Sequence, residues 1–471
     1  MTSSHFDVVV IGGGPAGYVG AIRAAQLGMK TACVERDELG GVCLNWGCIP
    51  TKTLLAGAEF YDKLKHQAPG WGIEVDNIRY DWQRLIGRSR GLTENLSRGI
   101  VALFKKNKVT HISGHVQIRR PGHLEVLDDA GGLTDTIAAA HLIIATGAQP
   151  RGLPGVAFDG EKIITHKDAM ALPQQPKKLV ILGAGAIGME FAYFYNAFGT
   201  EVVIVEIMSH LLPNEDVDVS QAIERAWRKL KIKTYLETKV QAVVTTEAGV
   251  ELTVAPVDND ANTEVVVGDK LLIATGVTGR YDGLLAESSG IEVAGGFIEV
   301  DRATYQTSQP GIYAVGDVIG PPCLAHVASK EAVICVERIG GHNPTPIDYG
   351  AIPTCTYCHP QVASFGLSEQ VCADMQLAYK VGKFPFRASG KAQAIGFPEG
   401  FVKILADAHS GEILGVHMIG ESVTELLAEM GLAKRLKATA DDVIATMHAH
   451  PTLSEAVHEA SLGVDGRMIH F

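Results

Sequence analysis

Short apolar runs broken by glycine set the rhythm of the chain. Asp7 to Ile11 carries Val8, Val9, Val10 and Ile11 without a polar break, and it predicts a strand. Gly12-Gly13-Gly14-Pro15-Ala16-Gly17 follows. The next stretch predicts a helix to Leu27, which Gly28 ends. Thr31 to Val34 predicts a second strand, and Glu35 closes it.

The same grammar returns later. Lys178 to Leu182 predicts a strand, Gly183-Ala184-Gly185-Ala186-Ile187-Gly188 the turn, and the residues to Phe198 a helix that Gly199 ends. Glu201 to Val205 predicts the following strand, with Glu206 behind it. From first glycine to acid is 23 residues in both copies, 12 to 35 and 183 to 206.

This order has a physical reading. The first glycine permits a tight turn, the second lets backbone approach a pyrophosphate, and the third lets helix and strand pack closely. The helix N-terminus offers free N–H groups to the phosphates. The acid accepts hydrogen bonds from a ribose hydroxyl. One such motif is weak, because glycines also mark ordinary turns. Two copies in the same context predict two dinucleotide sites, hence electron transfer between two cofactors. Leu142 to Gly147 and Leu271 to Gly276 echo each other as well. Each predicts a strand ending where the chain leaves a nucleotide-binding domain.

Composition narrows the class. At roughly 100–200 residues per domain, 471 residues predict about three domains. The formal net charge of −12 argues against nucleic acid or an anionic membrane as main partner. No apolar run approaches the ~18 residues of a spanning helix. No leader-like segment precedes Val8. The expectation is a cytoplasmic protein. Eight cysteines are too few for a secreted disulfide scaffold, so a close pair points to catalysis or metal binding.

That pair stands in Gly40-Gly41-Val42-Cys43-Leu44-Asn45-Trp46-Gly47-Cys48-Ile49-Pro50-Thr51-Lys52. Five helical residues rise about 7.5 Å, whereas a disulfide wants Cα atoms about 4.4–6.8 Å apart. A bridge here needs a distorted turn, which Gly47 and Pro50 could supply. Strained or exposed disulfides are the easily reduced kind. Two buried free thiols remain the plainer alternative.

The segment Gly40 to Lys52 resembles the redox signature of the pyridine nucleotide–disulfide oxidoreductases, in the wording of their dihydrolipoamide dehydrogenase branch. The likeness runs over essentially the whole chain. It implies an α/β fold with two Rossmann-like domains, for FAD and NAD, and a C-terminal α+β dimerisation domain. The boundaries expected are 1–148 for FAD, 149–277 for NAD, 278–347 for a central domain completing the FAD site, and 348–471 for the dimer interface.

The resemblance also implies roles. Gly12, Gly14, Gly17 and Glu35 would bind FAD, with Gly114, Thr146 and Gly147 in further FAD loops. Lys52 would lie near the flavin, partnered by Glu190. Gly311 to Asp317 is similar to the second FAD motif, its Asp317 on the ribityl chain, and Ala325 would begin the flavin-contacting helix. Gly183, Gly185, Gly188, Glu206 and Gly276 would bind NAD. Glu206 repels a 2′-phosphate and so favours NAD over NADP. Near the end, His450-Pro451-Thr452-Leu453-Ser454-Glu455 resembles the family's active-site segment. His450 would be the thiol base, Glu455 its partner, and the pair would serve the disulfide of the other subunit. His448 does not match the catalytic position.

Three features stand outside this pattern. Gly276-Val277-Thr278-Gly279-Arg280 departs from the commoner Gly-Arg-Arg-Pro-Asn form, which bears on NAD contacts there. Cys355 and Cys358 form a lone CxxC in a strand-like segment, a weak zinc signal, and no metal is expected. Cys33, Cys323, Cys335 and Cys372 are expected to serve packing.

The implied activity is oxidation of protein-bound dihydrolipoamide through Cys43, Cys48, FAD and NAD. The implied partners are a second copy of the chain and lipoyl domains of 2-oxoacid, acetoin or glycine dehydrogenase complexes. Two other readings compete: a reductase for another disulfide such as glutathione, which Glu206 disfavours, and a silent assembly subunit, against which the intact Cys43, Cys48, His450 and Glu455 speak.

Overall fold

A computed structural model describes residues 4–128 and 130–471. The chain forms two compact units. One comprises the chain up to Thr53, Gln83–Arg151 and Gly276–Ile347; the other comprises Leu54–Trp82, Gly152–Thr275 and Asp348–Phe471.

The first unit is built on parallel strands in the order Thr110–Ser113, Thr31–Glu35, Ser4–Ile11 and Leu133–Ile144, with Ile312–Ala314 beyond. Val8, Val9, Val10 and Ile11 are all buried, as an unbroken apolar run in a parallel sheet requires. Leu133–Ile144 changes role along its length. Its first half pairs antiparallel with His123–Leu127, and its last residues enter the parallel sheet. Burial follows: Ile137 and Ala139 alternate with more exposed neighbours, then Leu142, Ile143 and Ile144 are buried in sequence. The helix Pro15–Gln26 buries Gly17, Gly20, Ala21 and Ala24, a stripe at helical spacing. These small residues let the helix Ala325–Ile339 approach closely: a Cβ on Gly20 would stand 3.3 Å from that of Ala332.

The second unit repeats the plan. Its five parallel strands run in the order Lys233–Tyr235, Glu201–Val205, Lys178–Leu182, Lys270–Ile273 and Ile163–Ile164. The helix Ala186–Ala197 is mostly apolar, and Gly188 to Tyr195 are all buried, Glu190 among them. A three-stranded antiparallel sheet follows, then a C-terminal five-stranded antiparallel sheet in the order Thr354–Thr356, Gln361–Gly366, Ile413–Gly420, Phe401–Asp407 and Tyr379–Pro385. The helices Val423–Arg435 and Glu455–Gly463 pack on this sheet. The fold is α/β, with two Rossmann-like sheets and a C-terminal α+β portion. Among the described residues no helix is long and apolar enough to cross a membrane.

Candidate active site

The two glycine turns are built alike, atom by atom. Gly12 has φ +103°, and a Cβ there would stand 2.4 Å from the Ala145 carbonyl oxygen; Gly183 has φ +104°, and its Cβ would stand 2.5 Å from that of Ala274. A Cβ on Gly17 would lie 1.7 Å from the Gly12 oxygen, and one on Gly188 would lie 2.0 Å from the Gly183 oxygen. The middle glycines differ in kind. Nothing lies within 4 Å of a Cβ on Gly185, and on Gly14 only Gly41 Cα comes near, at 3.7 Å. The outer glycines are thus demanded by packing, while the middle ones leave an approach open. Neither helix has a side-chain cap, so its first N–H groups remain available to an anion.

The acids repeat the match. Glu35 accepts the Gly13 N–H at 2.6 Å and the Asp37 N–H at 2.9 Å. Glu206 accepts the Ala184 N–H at 2.6 Å and the Met208 N–H at 2.9 Å. An ionised carboxylate has about four acceptor positions, so each acid still has room for ribose hydroxyls. Open middle glycine, uncapped helix and half-satisfied acid together fit a dinucleotide in both units.

The thiol pair lies where a helix breaks. The helix Gly41–Trp46 stops at Gly47, whose φ −151° and ψ −115° are far from helical, and a new helix starts at Cys48. Gly47 supplies the distortion expected from spacing. Pro50 does not: it sits in the first turn of the second helix, where its missing N–H costs nothing. Cys43 and Cys48 are half-buried thiols in hydrogen-bond contact. That bond pushes the Cys43 thiol well above its ordinary value; burial and the charge of Cys48 add to the rise. Lys52, one turn past Cys48, pulls the other way. Asn45 ties the helix that bears Cys43 back to the turn before it. It is buried, and its Nδ2 donates to Leu39 O at 3.1 Å and Gly41 O at 3.0 Å.

The remaining FAD-motif candidates gather in the same unit. Gly114 follows the strand Thr110–Ser113 and donates to the Glu35 carbonyl at 3.1 Å. Thr146 Oγ1 donates to Arg280 O at 2.5 Å, and Arg280 N–H donates to Gly147 O at 2.9 Å. Asp317 follows Gly316, and Ala325 opens the helix Ala325–Ile339. Burial, then Glu331, raise the Asp317 carboxyl to about 6. Glu331 was missed by sequence reasoning. It is buried and accepts the Gly316 N–H at 2.7 Å. Its signal was an acid within the apolar stripe Val327, Ala328, Ala332 and Cys335. Arg280 belongs to the first unit, beside Arg36, Asp37 and Glu35, and its Nε is buried without a hydrogen-bond partner. The departure at this position therefore lies beside the Glu35 end of the first glycine unit.

Glu190, Glu206, His450 and Glu455 belong to the second unit; Lys52 and Gly276 belong to the first. Glu190 is buried and accepts the Tyr357 N–H at 3.0 Å. His450 Nδ1 lies 2.9 Å from Glu455 Oε1, and Thr452 N–H donates to Glu455 Oε2 at 2.8 Å. Burial would raise Glu455, but Thr452 and His450 hold its carboxyl below the ordinary range. With Nδ1 donating to the carboxylate, Nε2 is left as the basic nitrogen. The imidazole is 79% exposed.

Cys355 lies in the strand Thr354–Thr356, and Cys358 is buried, its thiol 3.4 Å from Pro360 O. Cys33, Cys335 and Cys372 are buried; Cys323 is half-buried, and burial with Asp317 raises it to about 12. No group of three or more His, Cys, Asp or Glu among the described residues is arranged to hold a metal.

Two family patterns match the chain. Pyridine nucleotide-disulphide oxidoreductase covers residues 6–332, and the dimerisation domain of the same enzymes covers residues 352–461. A dihydrolipoyl dehydrogenase of Chlorobaculum tepidum is 44% identical over 98% of this chain and 97% of its own. One of Bacillus subtilis is 40% identical over the full length of both. Among solved structures, LpdA from Mycobacterium tuberculosis superposes with a TM-score of 0.89 at 27% identity, covering 97% of this chain and 99% of that one. Both halves of the sequence thus carry the same signature, and the chain belongs to the pyridine nucleotide-disulphide oxidoreductase family.

Proposed function

We infer that this chain is a dihydrolipoyl dehydrogenase, oxidising dihydrolipoamide to lipoamide while reducing NAD+. The observation that carries the reading is the contact between Cys43 and Cys48 across the Gly47 break, in a chain 40–44% identical along its length to enzymes of that name. FAD and NAD are its cofactors. When bound, FAD supplies a two-electron relay between the thiol pair and NAD+.

The chain's own residues divide the remaining work. His450, oriented by Glu455, takes a proton from one substrate thiol. That thiolate attacks Cys43 of the oxidised pair, and the Cys43–Cys48 bond breaks as a mixed disulfide forms. The second substrate thiol, once deprotonated, attacks its partner sulfur, which closes the product disulfide and frees Cys43. The substrate has lost two electrons and two protons, and the pair has gained the electrons. Lys52 favours thiolate character at Cys43. The exposed His450 ring suits service to the thiol pair of a second subunit, and the dimerisation domain supplies that subunit. Glu190 is assigned to the flavin side of the site with Lys52. Gly12, Gly14, Gly17, Glu35, Gly114, Thr146, Gly147, Asp317 and Ala325 are assigned to FAD. Gly183, Gly185, Gly188, Glu206 and Gly276 are assigned to NAD. The domain boundaries proposed remain 1–148, 149–277, 278–347 and 348–471. The substrate is carried by lipoyl domains of a 2-oxoacid, acetoin or glycine dehydrogenase complex, in the cytoplasm.

The test is direct. Purified protein should be yellow and should reduce NAD+ with dihydrolipoamide. Colourless protein that fails to take up FAD, or a flavoprotein inert with dihydrolipoamide, overturns the reading.

A further inference from the structure

A second histidine–carboxylate pair stands two residues before the proposed base. His448 is nearly buried, with 6% of its side chain exposed. Its Nδ1 lies 3.0 Å from Thr446 O, and its Nε2 lies 2.7 Å from Glu429 Oε1. A backbone carbonyl only accepts, so Nδ1 must carry a proton. The Nε2 contact to Glu429 is of charge-assisted length, so both ring nitrogens are engaged.

The surroundings show what this pin fastens. Glu429 belongs to the helix Val423–Arg435. His458, on the helix Glu455–Gly463, sets its ring 5.5 Å from that of His448. The same helix begins with Glu455, which holds His450 and Thr452. Thr452 Oγ1 also donates back to Ala449 O at 2.7 Å. The loop bearing His450 is thus tied at both ends: to one helix through His448 and Glu429, to the other through Glu455. An exposed base gets little support from packing, and a displacement of about 1 Å at a reacting group can cost about a hundredfold in rate.

We propose that His448 and Glu429 form a positioning pair that fixes the loop carrying His450. The charged and titratable groups facing it are Glu429 from one helix, His458 from the other, and the His450–Glu455 pair along the loop. The proposal rests on the reading of His450 as thiol base.

The experiment uses the flavin-loaded enzyme with dihydrolipoamide and NAD+. His448→Phe keeps a planar ring and removes both N–H groups. Glu429→Gln keeps an acceptor and removes the charge. His448→Phe should lower kcat by about tenfold to a hundredfold, with KM for dihydrolipoamide and flavin content unchanged. Glu429→Gln, whose amide can still pair with Nε2, should keep more of kcat than Glu429→Ala. The double variant should be no worse than His448→Phe alone. A kcat within twofold of the parent in His448→Phe, multiplied losses in the double variant, or equal kcat in Glu429→Gln and Glu429→Ala overturns the proposal. Should His448→Phe fail to fold, the comparison of Glu429→Gln with Glu429→Ala decides. His450→Gln separates the two readings: if it keeps full activity the base assignment itself fails, and if it alone collapses only the positioning pair fails.

Discussion

Glu206→Gln tests whether the second glycine site reads a free ribose. In the structure both Glu206 oxygens are engaged, by Ala184 N–H at 2.6 Å and Met208 N–H at 2.9 Å. A glutamine can keep one of these contacts through its carbonyl oxygen. Its NH2 must then face the other amide, donor against donor. The ribose also loses an ionised acceptor. A hydrogen bond to a charged group is worth about 1.5–3 kcal/mol, and about 1.4 kcal/mol is tenfold. The expected loss in kcat/KM for NAD+ is therefore about 10-fold to 150-fold. For NADP+ a second term works the other way, because the 2′-phosphate no longer meets a carboxylate. Discrimination should narrow by more than the NAD+ loss alone. Steady-state kinetics with both nucleotides, at fixed ionic strength, read this out. Flavin content is the control: Glu35 has the same two-amide geometry in the other unit and is untouched. An NAD+ kcat/KM within twofold of the parent, or an unchanged NAD+/NADP+ ratio, refutes the assignment.

Three further outcomes are expected. Gly188→Ala should fold poorly, since its Cβ would stand 2.0 Å from the Gly183 oxygen, while Gly185→Ala, with nothing within 4 Å, should fold normally and weaken NAD+ binding by tenfold or more; soluble yield and NADH titration distinguish them. Cys43→Ser should bring dihydrolipoamide oxidation down to background with flavin still bound, and turnover above background in a thiol-free preparation would count against the mechanism. Lys403→Met should cost about 3–5 kcal/mol in thermal or urea unfolding, because Lys403, with 1% of its side chain exposed, neutralises the buried Asp216 together with Asp218 and Glu369. Burial would raise Asp216, but Lys403 and the Glu369 N–H hold it below its ordinary value. Its stabilisation is therefore present above about pH 4 and is lost as pH falls through the lowered value. In Lys403→Met burial prevails, and that acid transition should move to higher pH.

Local grammar was legible where one segment holds all its own partners. The runs at Val8–Ile11 and Leu179–Leu182, the glycines behind them, and the acids at 35 and 206 interact within a single strand–turn–helix–strand unit, so spacing alone located them. Cys43 and Cys48 were legible for the same reason. Residues whose meaning depends on distant chain were not. Glu331 becomes intelligible only once Gly316, 15 positions away, donates to it. His448 looked idle because its partner, Glu429, sits 19 positions earlier on another helix. Arg280 follows a strand that pairs with Ala148–Pro150, which carries it to the first unit although it trails the second glycine motif in sequence. Pro50 was misjudged because its position relative to the helix start decides whether it breaks or begins a turn.

The near-identity of the two turns leaves a question of division of labour, and the segment after each acid answers it. In both copies a downstream amide hooks the carbonyl of the second turn residue: Gly40 N–H reaches Gly13 O at 2.8 Å, and Leu212 N–H reaches Ala184 O at 3.0 Å. The hooks are equivalent, but their cargo differs. Gly40 leads directly into Gly41–Trp46, the helix that bears Cys43, and Gly41 Cα lies 3.7 Å from a Cβ built on Gly14. Leu212 leads instead to Asp216, the cap of the helix Val217–Lys229 and the anchor of Lys403 from the C-terminal sheet. One nucleotide fold has thus been used twice, with the hook delivering a redox pair in one case and a structural ion cluster in the other. The two turns are built alike, and the residues five or six positions beyond each acid set what is packed beside each turn.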